Sequence, residues 1–160
     1  MIILGIDPGL AITGYGIINK AEDKSQEIKL IDYGCIFTDL KLSTTERLEK
    51  IHCELTKILK KYQPDRVAVE KIFFAKNTKT ALSVGEARGV ILLTIEQKKI
   101  PFFEFTPLQV KQAVTSYGRA TKQQIQQMVK IILNLKEIPK PDDAADALAI
   151  AITCLQTKKY

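Results

Sequence analysis

The chain begins with the stretch Met1-Ile2-Ile3-Leu4-Gly5-Ile6-Asp7, a near-continuous apolar run that ends on an acid. Strands that are buried on both faces of a sheet have this composition, which is typical of parallel sheets. Pro8-Gly9 follows at once and interrupts the chain. We therefore predict a central strand at residues 2–7 with Asp7 at its end.

The pattern beyond this strand predicts an α/β protein. Two further strands form an antiparallel meander with the first. A capping box at Ser43 opens a helix. Strands and helices then alternate, which favours a mixed sheet of five strands with helices on both faces, as one domain over residues 1–160. The first, fourth and fifth strands should lie side by side. The predicted strands are 12–19, 28–37, 66–70 and 101–105, and the helices are 44–61, 77–98, 107–116, 121–134 and 142–157.

Composition limits the class of protein. The 160 residues, 46% of them hydrophobic, suffice for one domain. No apolar stretch approaches the ~18 residues of a membrane span, and the first strand lacks the basic flank of a signal peptide. Three cysteines without a C-x-x-C pair, and one histidine, argue against a zinc site or a disulfide framework. We expect a cytoplasmic protein, free of membranes, whose cysteines are small buried residues.

The charge indicates an anionic partner. The net charge is +6, and the 24 lysines and arginines are spread over the whole chain. A basic surface of this kind suits a polyanion such as a nucleic acid.

Four acids stand at the ends of segments that should form the core. Asp7 ends the first strand, Glu70 ends the apolar run Val67-Ala68-Val69, and Asp143 and Asp146 open the apolar last helix. Ligands of open α/β sheets bind at the carboxyl ends of the strands. Carboxylates gathered there suit magnesium, and two such ions can catalyse in-line phosphoryl displacement.

Each of these positions has a simpler alternative. Asp142 and Asp143 could be a cap and a first-turn acid at the helix N-terminus. Helix capping does not explain Asp146, because its helical neighbours Ala149 and Ile150 are apolar. A buried acid needs a lysine partner or a metal ion, and we favour the metal ion. The Asp7 turn also resembles the phosphate loop of the actin and sugar-kinase ATPases, which need two lobes where this chain supplies one.

Small residues recur at helical spacing in the second predicted helix. Ala81, Gly85 and Gly89 stand four residues apart on one face. Each interior glycine costs about 1 kcal/mol relative to alanine, so close approach to this face is implied. This face of the helix either packs tightly on the sheet or forms a subunit interface.

Four stretches together resemble the RuvC family of bacterial Holliday junction resolvases. They are Gly5-Ile6-Asp7-Pro8-Gly9, Val69-Glu70-Lys71-Ile72-Phe73-Phe74-Ala75-Lys76-Asn77, Ala81-Leu82-Ser83-Val84-Gly85-Glu86-Ala87-Arg88-Gly89 and Asp143-Ala144-Ala145-Asp146-Ala147-Leu148-Ala149. The resemblance covers essentially the whole chain. It implies a ribonuclease H-like fold and a homodimer that nicks two opposed strands of a four-way DNA junction, leaving 5′-phosphate and 3′-hydroxyl ends, in recombination and repair.

The resemblance also implies roles for individual residues. Asp7, Glu70, Asp143 and Asp146 match the catalytic acids that bind two magnesium ions, for which manganese substitutes. Some family members have histidine at the position of Asp143. Phe73 matches an aromatic residue that stacks on a base near the junction centre, and Lys111 and Lys122 match basic residues close to the scissile strand. A partnership with the RuvA–RuvB branch-migration complex is implied in the same way.

The residues themselves favour a DNA-binding surface near the acids. Phe73 and Phe74 follow the Glu70 strand in a loop, where at least one is better explained as a stacking surface than as core. Lys76, Lys111, Arg119 and Lys122 lie on predicted loops or helix starts, where they are either phosphate contacts or ordinary solvated side chains.

Two other functions stay open from the residues. The chain could be a different ribonuclease H-fold nuclease that cleaves structured RNA, because the Asp7 turn is common to such enzymes. It could also be a junction-binding module without turnover, although that would not require all four acids.

Overall fold

The computed structural model describes residues 1–21, 27–71 and 78–157. The strands are β1 (Ile2–Asp7), β2 (Ile12–Lys20), β3 (Ile28–Phe37), β4 (Arg66–Glu70) and β5 (Phe102–Phe105). The helices are α1 (Thr44–Tyr62), α2 (Thr78–Gln97), α3 (Pro107–Thr115), α4 (Lys122–Ile132) and α5 (Asp142–Gln156). The predicted elements are thus all present, with ends that differ by at most two residues.

The five strands form one mixed sheet in the order β3-β2-β1-β4-β5. β1, β2 and β3 are antiparallel neighbours, whereas β4 runs parallel to β1 and β5 runs parallel to β4. The first, fourth and fifth strands therefore lie side by side, as the sequence predicts. In the β1–β4 register Ile6 is opposite Val69, so the strands end together at Asp7 and Glu70.

Helices cover both faces of the sheet. One face packs against α3, α4 and α5 in a core that includes Ile3, Ala68 and Leu148. The other packs against α1 and α2 in a second core that includes Leu4 and Val67. Side chains of β1 alternate between the two cores, as strand geometry requires. A strand buried on both sides explains why residues 2–6 are apolar without interruption.

Capping residues set where most helices begin. Ser43, Thr106 and Thr121 each accept a hydrogen bond from the N3 backbone of their helix, and the N3 side chain binds back, as in a capping box. α5 is different, because its N-cap is Pro141 and it has no side-chain cap. The alternative that Asp142 caps this helix is therefore wrong: Asp142 is its first helical residue.

α5 lies unusually close to the sheet. A β-carbon at Gly5 would collide with the backbone oxygen of Ala147 and would lie 2.6 Å from the backbone nitrogen of Ala151. A β-carbon at Gly14 would likewise collide with the backbone oxygen of Asp143. The glycines of β1 and β2 therefore make room for the backbone of α5, and alanines on α5 complete the contact, because all of those from Ala144 to Ala151 are fully buried.

Two expectations from composition can be compared with the structure. All three cysteines are free, but only Cys154 is buried; Cys35 is half-buried and Cys53 is exposed, so the expectation of three buried cysteines is wrong. Cys53 lies on α1 between the half-buried residues His52 and Glu54. None of the described helices is long and apolar enough to cross a membrane.

Replacing Gly5 by alanine should destabilise the protein, because the added methyl group meets helix backbone, which cannot rotate away. We expect the free energy of unfolding to fall by about 1–3 kcal/mol or more, the usual cost of overpacking, in urea denaturation of dilute protein. Gly89→Ala is the matched control, since no atom lies within 4 Å of a β-carbon there. The Gly89→Ala substitution should be neutral or should stabilise the protein by up to about 1 kcal/mol, because alanine has a higher helix propensity than glycine. Equal stability of the two variants would contradict the close packing of α5.

Candidate active site

Three of the four acids line one cleft at the carboxyl ends of β1 and β4. The cleft has a volume of about 80 Å³. Asp7 and Glu70 reach it from the strand ends, and Asp146 reaches it from the second turn of α5. The remaining lining residues come from α3, α4 and α5: Pro107, Val110, Lys111, Ile125 and Ala149.

Asp143 stands next to this cleft but does not line it. The backbone of Asp143 packs against Gly14, which is the register partner of Asp7 in β2. Its carboxylate is close enough to raise the pKa of Asp7, although burial, Glu70 and Asp146 contribute more. The structure therefore brings all four predicted acids together, with Asp143 at the edge of the group.

The cluster binds protons more tightly than isolated acids do. Burial, followed by the charges of Glu70, Asp146 and Asp143, raises the pKa of Asp7 to about 8. Burial and the charge of Asp146 raise the pKa of Glu70 to about 6. Burial also raises the pKa of Asp146, although Lys122 opposes it. Two carboxylates 4 Å apart repel by about 4 kcal/mol at an effective dielectric of 20, so such a group must take up a proton or a cation.

Lys122 is the cation that contacts the cluster in the structure. Its Nζ lies 3.0 Å from Oδ2 of Asp146 and 3.5 Å from Oδ2 of Asp142. Burial opposes the charge of this ammonium, but the pairing with Asp146 outweighs it and raises the pKa of Lys122. The alternative of a lysine partner for Asp146, which the sequence left open, is therefore what the structure contains. Lys122 compensates one acid and leaves Asp7 and Glu70 without a cationic contact among the described residues.

The donor set fits a hard divalent cation. Four carboxylates supply only oxygen, which magnesium and manganese prefer, and Asp7 at its centre is the one whose charge is least favourable. In the described part of the chain, no three His, Cys, Asp or Glu side chains already enclose a cation position.

The basic and aromatic candidates are placed unevenly. Lys111 lines the acid cleft from α3, and Lys122 contacts Asp146. Arg119 is exposed in the turn between α3 and α4. Phe73 and Lys76, together with Phe74, lie outside the described residues.

The apolar wall of the cleft was not anticipated from the sequence. Val110, Ile125 and Ala149 are buried residues of three different helices that meet around the carboxylates. Their low polarity is the main cause of the raised pKa of Asp7, because burial disfavours the charged form. Helical periodicity shows that each is buried, but not that all three face the same acids.

Comparison with known proteins places the chain in a family. The model of the family described as "Crossover junction endodeoxyribonuclease RuvC" matches residues 3–154. The chain belongs to the RuvC family. A RuvC protein of Halothermothrix orenii, named as a crossover junction endodeoxyribonuclease, is 59% identical over 152 residues, which cover 95% of this chain and 90% of that relative.

Solved RuvC structures have the same fold. The structure of Thermus thermophilus RuvC superposes with a TM-score of 0.87 at 36% identity, covering 96% of this chain and 92% of that one. The same protein in complex with a Holliday junction substrate superposes with a TM-score of 0.84 at 35% identity and with the same coverage. The ribonuclease H-like fold expected from the sequence is thereby confirmed.

The acid cluster should make stability depend on pH when no divalent cation is present. The folded protein holds a proton on Asp7 up to about pH 8, whereas an unfolded aspartate loses it near pH 3.8. This contribution to stability is therefore present at low pH and is lost as the pH rises from about 4 to about 8. In Asp7→Asn it is absent, so the melting temperature of the variant should fall less over this range and should exceed that of the parent at the upper end.

The comparison requires thermal denaturation of both proteins in EDTA across this range. Adding magnesium should restore more stability to the parent than to the variant, because a ligand stabilises only the state that binds it. Parallel pH profiles for the two proteins would contradict the assignment of the raised pKa to Asp7.

Proposed function

We propose that the chain is a structure-specific endonuclease that resolves four-way DNA junctions. The observation that carries this is the meeting of four acids from β1, β4 and α5 at one edge of the sheet, in a member of the RuvC family. The net charge of +6 suits a DNA substrate. A solved RuvC relative has been crystallised with a Holliday junction. One nuclease domain spans the chain, and products carry 5′-phosphate and 3′-hydroxyl ends, as the family resemblance implies.

Asp7, Glu70, Asp143 and Asp146 would hold magnesium, with manganese as a substitute and two ions in each site. Bound ions of this kind supply an activated water and neutralise charge on the leaving oxygen. The proposal is supported by the acids' own electrostatics, since neighbouring carboxylates raise the pKa of Asp7 and of Glu70, and among the described residues only Asp146 of the four is in contact with a lysine.

The position of each side chain suggests its role in the reaction. The charges of the other three acids all act on Asp7, so Asp7 would be the central ligand of the bound cations. Glu70 and Asp146 complete the cleft from either side, and Asp143, which stands outside it, orients a ligand or the attacking water. Lys122 is half-exposed and can turn from Asp146 towards a phosphate of the scissile strand. The apolar wall excludes water and strengthens each of these interactions.

Basic residues around the cleft position the DNA. Lys111 and Lys122 contact the cleft or its acids, and Arg119 is exposed in the adjoining turn. Phosphate contacts of this kind orient the strand without reading its sequence, and they weaken steeply with salt. Phe73 is proposed to stack on a base near the junction centre and Lys76 to contact phosphate, both on the strength of the family resemblance.

The second subunit of a homodimer would pack on α2. One face of this helix carries four residues at helical spacing: Leu82, Gly85, Gly89 and Leu93. The two leucines are 70% and 58% exposed, and outside the helix's own backbone no atom of the described residues lies within 4 Å of a β-carbon at either glycine. Packing of these glycines on the sheet, the first alternative from the sequence, is therefore wrong. An apolar strip with two glycines at its centre suits the close approach of an identical helix across a two-fold axis.

We also propose that the protein acts in the cytoplasm, in recombination and repair, together with the RuvA–RuvB complex. The family resemblance supports this part of the proposal.

Asp7→Asn should abolish cleavage and spare binding. On a synthetic mobile four-way junction with magnesium, the cleavage rate should fall below about 1% of the parental rate, since even outer-shell partners of a metal contribute ~10–100-fold. Junction affinity in a gel-shift assay should hold or rise, because one negative charge is removed from a site that faces phosphate. Asp39→Asn, at an exposed residue whose carboxylate accepts a hydrogen bond from the Lys41 nitrogen, is the matched control and should cleave normally.

The same assay distinguishes the other functions. The parent should cut the four-way junction in preference to linear duplex and structured RNA. Preferred cleavage of RNA would establish the alternative nuclease, and binding without cleavage at any magnesium concentration would establish a non-catalytic module. Normal cleavage by Asp7→Asn would remove Asp7 from the mechanism.

Leu93→Glu should separate the subunits, because it places a charge within the apolar strip of the proposed α2 contact. Sedimentation equilibrium should show a dimer for the parent and a monomer for this variant. Leu40→Glu, at a leucine that is 81% exposed and lies between β3 and α1, should remain dimeric. A monomeric parent, or a Leu93→Glu variant that dimerises like the parent, would contradict the proposed interface.

A further inference from the structure

A second, much larger cavity adjoins the acid cleft. It has a volume of about 890 Å³ and lies between α4 and the turn that joins α3 to α4, with Ile138 at one side. Sites for small organic molecules span ~300–1,000 Å³, so this cavity has room for a nucleoside. No acidic residue lines it among the described part of the chain, whereas four glutamines of α4 do.

One of these glutamines has an unused hydrogen-bond donor. Gln126 is only 8% exposed, and its Nε2 atom has no hydrogen-bond partner among the described residues. Buried polar groups are normally paired, because an unpaired donor loses its hydration without replacement. Gln126 lines the cavity although its Nε2 atom is buried, so a rotation of the side chain would present this donor to a ligand with acceptor atoms. The glutamine amide carries two N–H donors and one carbonyl acceptor, the pattern that matches the edge of a nucleobase.

The turn beside the cavity presents an aromatic ring. Tyr117 lines the cavity and is 55% exposed. The Tyr117 nitrogen donates a hydrogen bond to the hydroxyl of Thr115 at 3.2 Å, and that hydroxyl donates in turn to the Lys111 oxygen at 2.7 Å. The Tyr117 oxygen accepts from the nitrogen of Ala120 at 3.1 Å, so the backbone of the turn is held on both sides of the ring. An exposed aromatic ring on such a turn is a stacking surface for a base.

The cavity and the acid cleft lie on either side of the first turns of α4. Ile125 lines the cleft, its neighbour Gln126 lines the cavity, and Lys122 reaches Asp146 from the helix start. A helix is about 10 Å across, and a stacked strand advances about 3.4 Å per nucleotide. A strand whose phosphate is at Asp7 would therefore reach the cavity within about three nucleotides. Arg119, exposed in the same turn, supplies positive charge along that path.

From these contacts we infer that the cavity receives a nucleobase of the cleaved strand, which stacks near Tyr117 and is read by the amide of Gln126. Gln126 is thus a specificity-determining residue that selects which step of a junction is cut. This inference rests on the proposed function, because it places the base relative to a phosphate held at the acids.

The test is to map cut positions on a mobile junction whose branch point samples many sequences. The parent should cut some steps much faster than others. In Gln126→Met, which keeps the volume and removes the amide, the ratio of rates between the best and the median step should fall about tenfold, within the range for loss of one base contact. Tyr117→Leu should reduce the same ratio and, because the residue is exposed, should leave folding intact.

Gln112→Met on the neighbouring α3 is the matched control, since this exposed glutamine does not line the cavity. Its cut pattern should equal that of the parent. Unchanged preferences in both Gln126→Met and Tyr117→Leu would overturn the inference, as would a Gln126→Met variant that loses only thermal stability, which would make the amide a partner for internal water. A parent that cuts no junction would refute the proposed function instead.

Discussion

The close packing of α5 on the central strands is the constraint on which the rest of the structure depends. Gly5 and Gly14 lack the β-carbons that would otherwise meet the backbone of this helix. The small side chains of α5 allow the same approach from the other side. Because the helix lies this close, its first two turns carry Asp143 and Asp146 to the ends of β1 and β4. A helix displaced outward by a larger residue would still cover the core but would separate the acids.

The cost of that arrangement is electrostatic. Three helices place apolar side chains around carboxylates that already repel one another, and the outcome is an Asp7 whose pKa rises to about 8. Folding alone does not favour such a site, because a neutral residue in place of Asp7 would relieve the repulsion. Lys122 contacts Asp146 directly and opposes the rise in the pKa of Asp7 only as the smallest of the contributions. A cluster that is unfavourable until a cation or proton binds is typical of a functional site rather than a structural one, which is why the geometry supports metal-dependent chemistry.

Much of this could be predicted from the sequence because it depends on local patterns. The order of strands and helices follows from periodicity and from capping residues such as Ser43 and Thr106, and the acids follow from their position at the ends of apolar segments. Relations between distant segments could not be predicted. The ion pair of Lys122 with Asp146 depends on how α4 crosses α5, and the unpaired amide of Gln126 depends on the turn before α4. The sequence shows that glycines interrupt the β-forming residues of the second strand. It does not show why, because the helix that packs against them, α5, lies more than 120 residues further along the chain.

Anomalous diffraction from crystals of this protein grown with manganese would test the central claim most directly. We expect anomalous difference density in the cleft between Asp7, Glu70 and Asp146, with the carboxylate oxygens drawn to about 2.0–2.3 Å from it, as hard oxygen ligands require. The ammonium of Lys122 should then have left Asp146. Saturating manganese that binds elsewhere, with the Lys122–Asp146 pair intact and no density among these acids, would contradict the account.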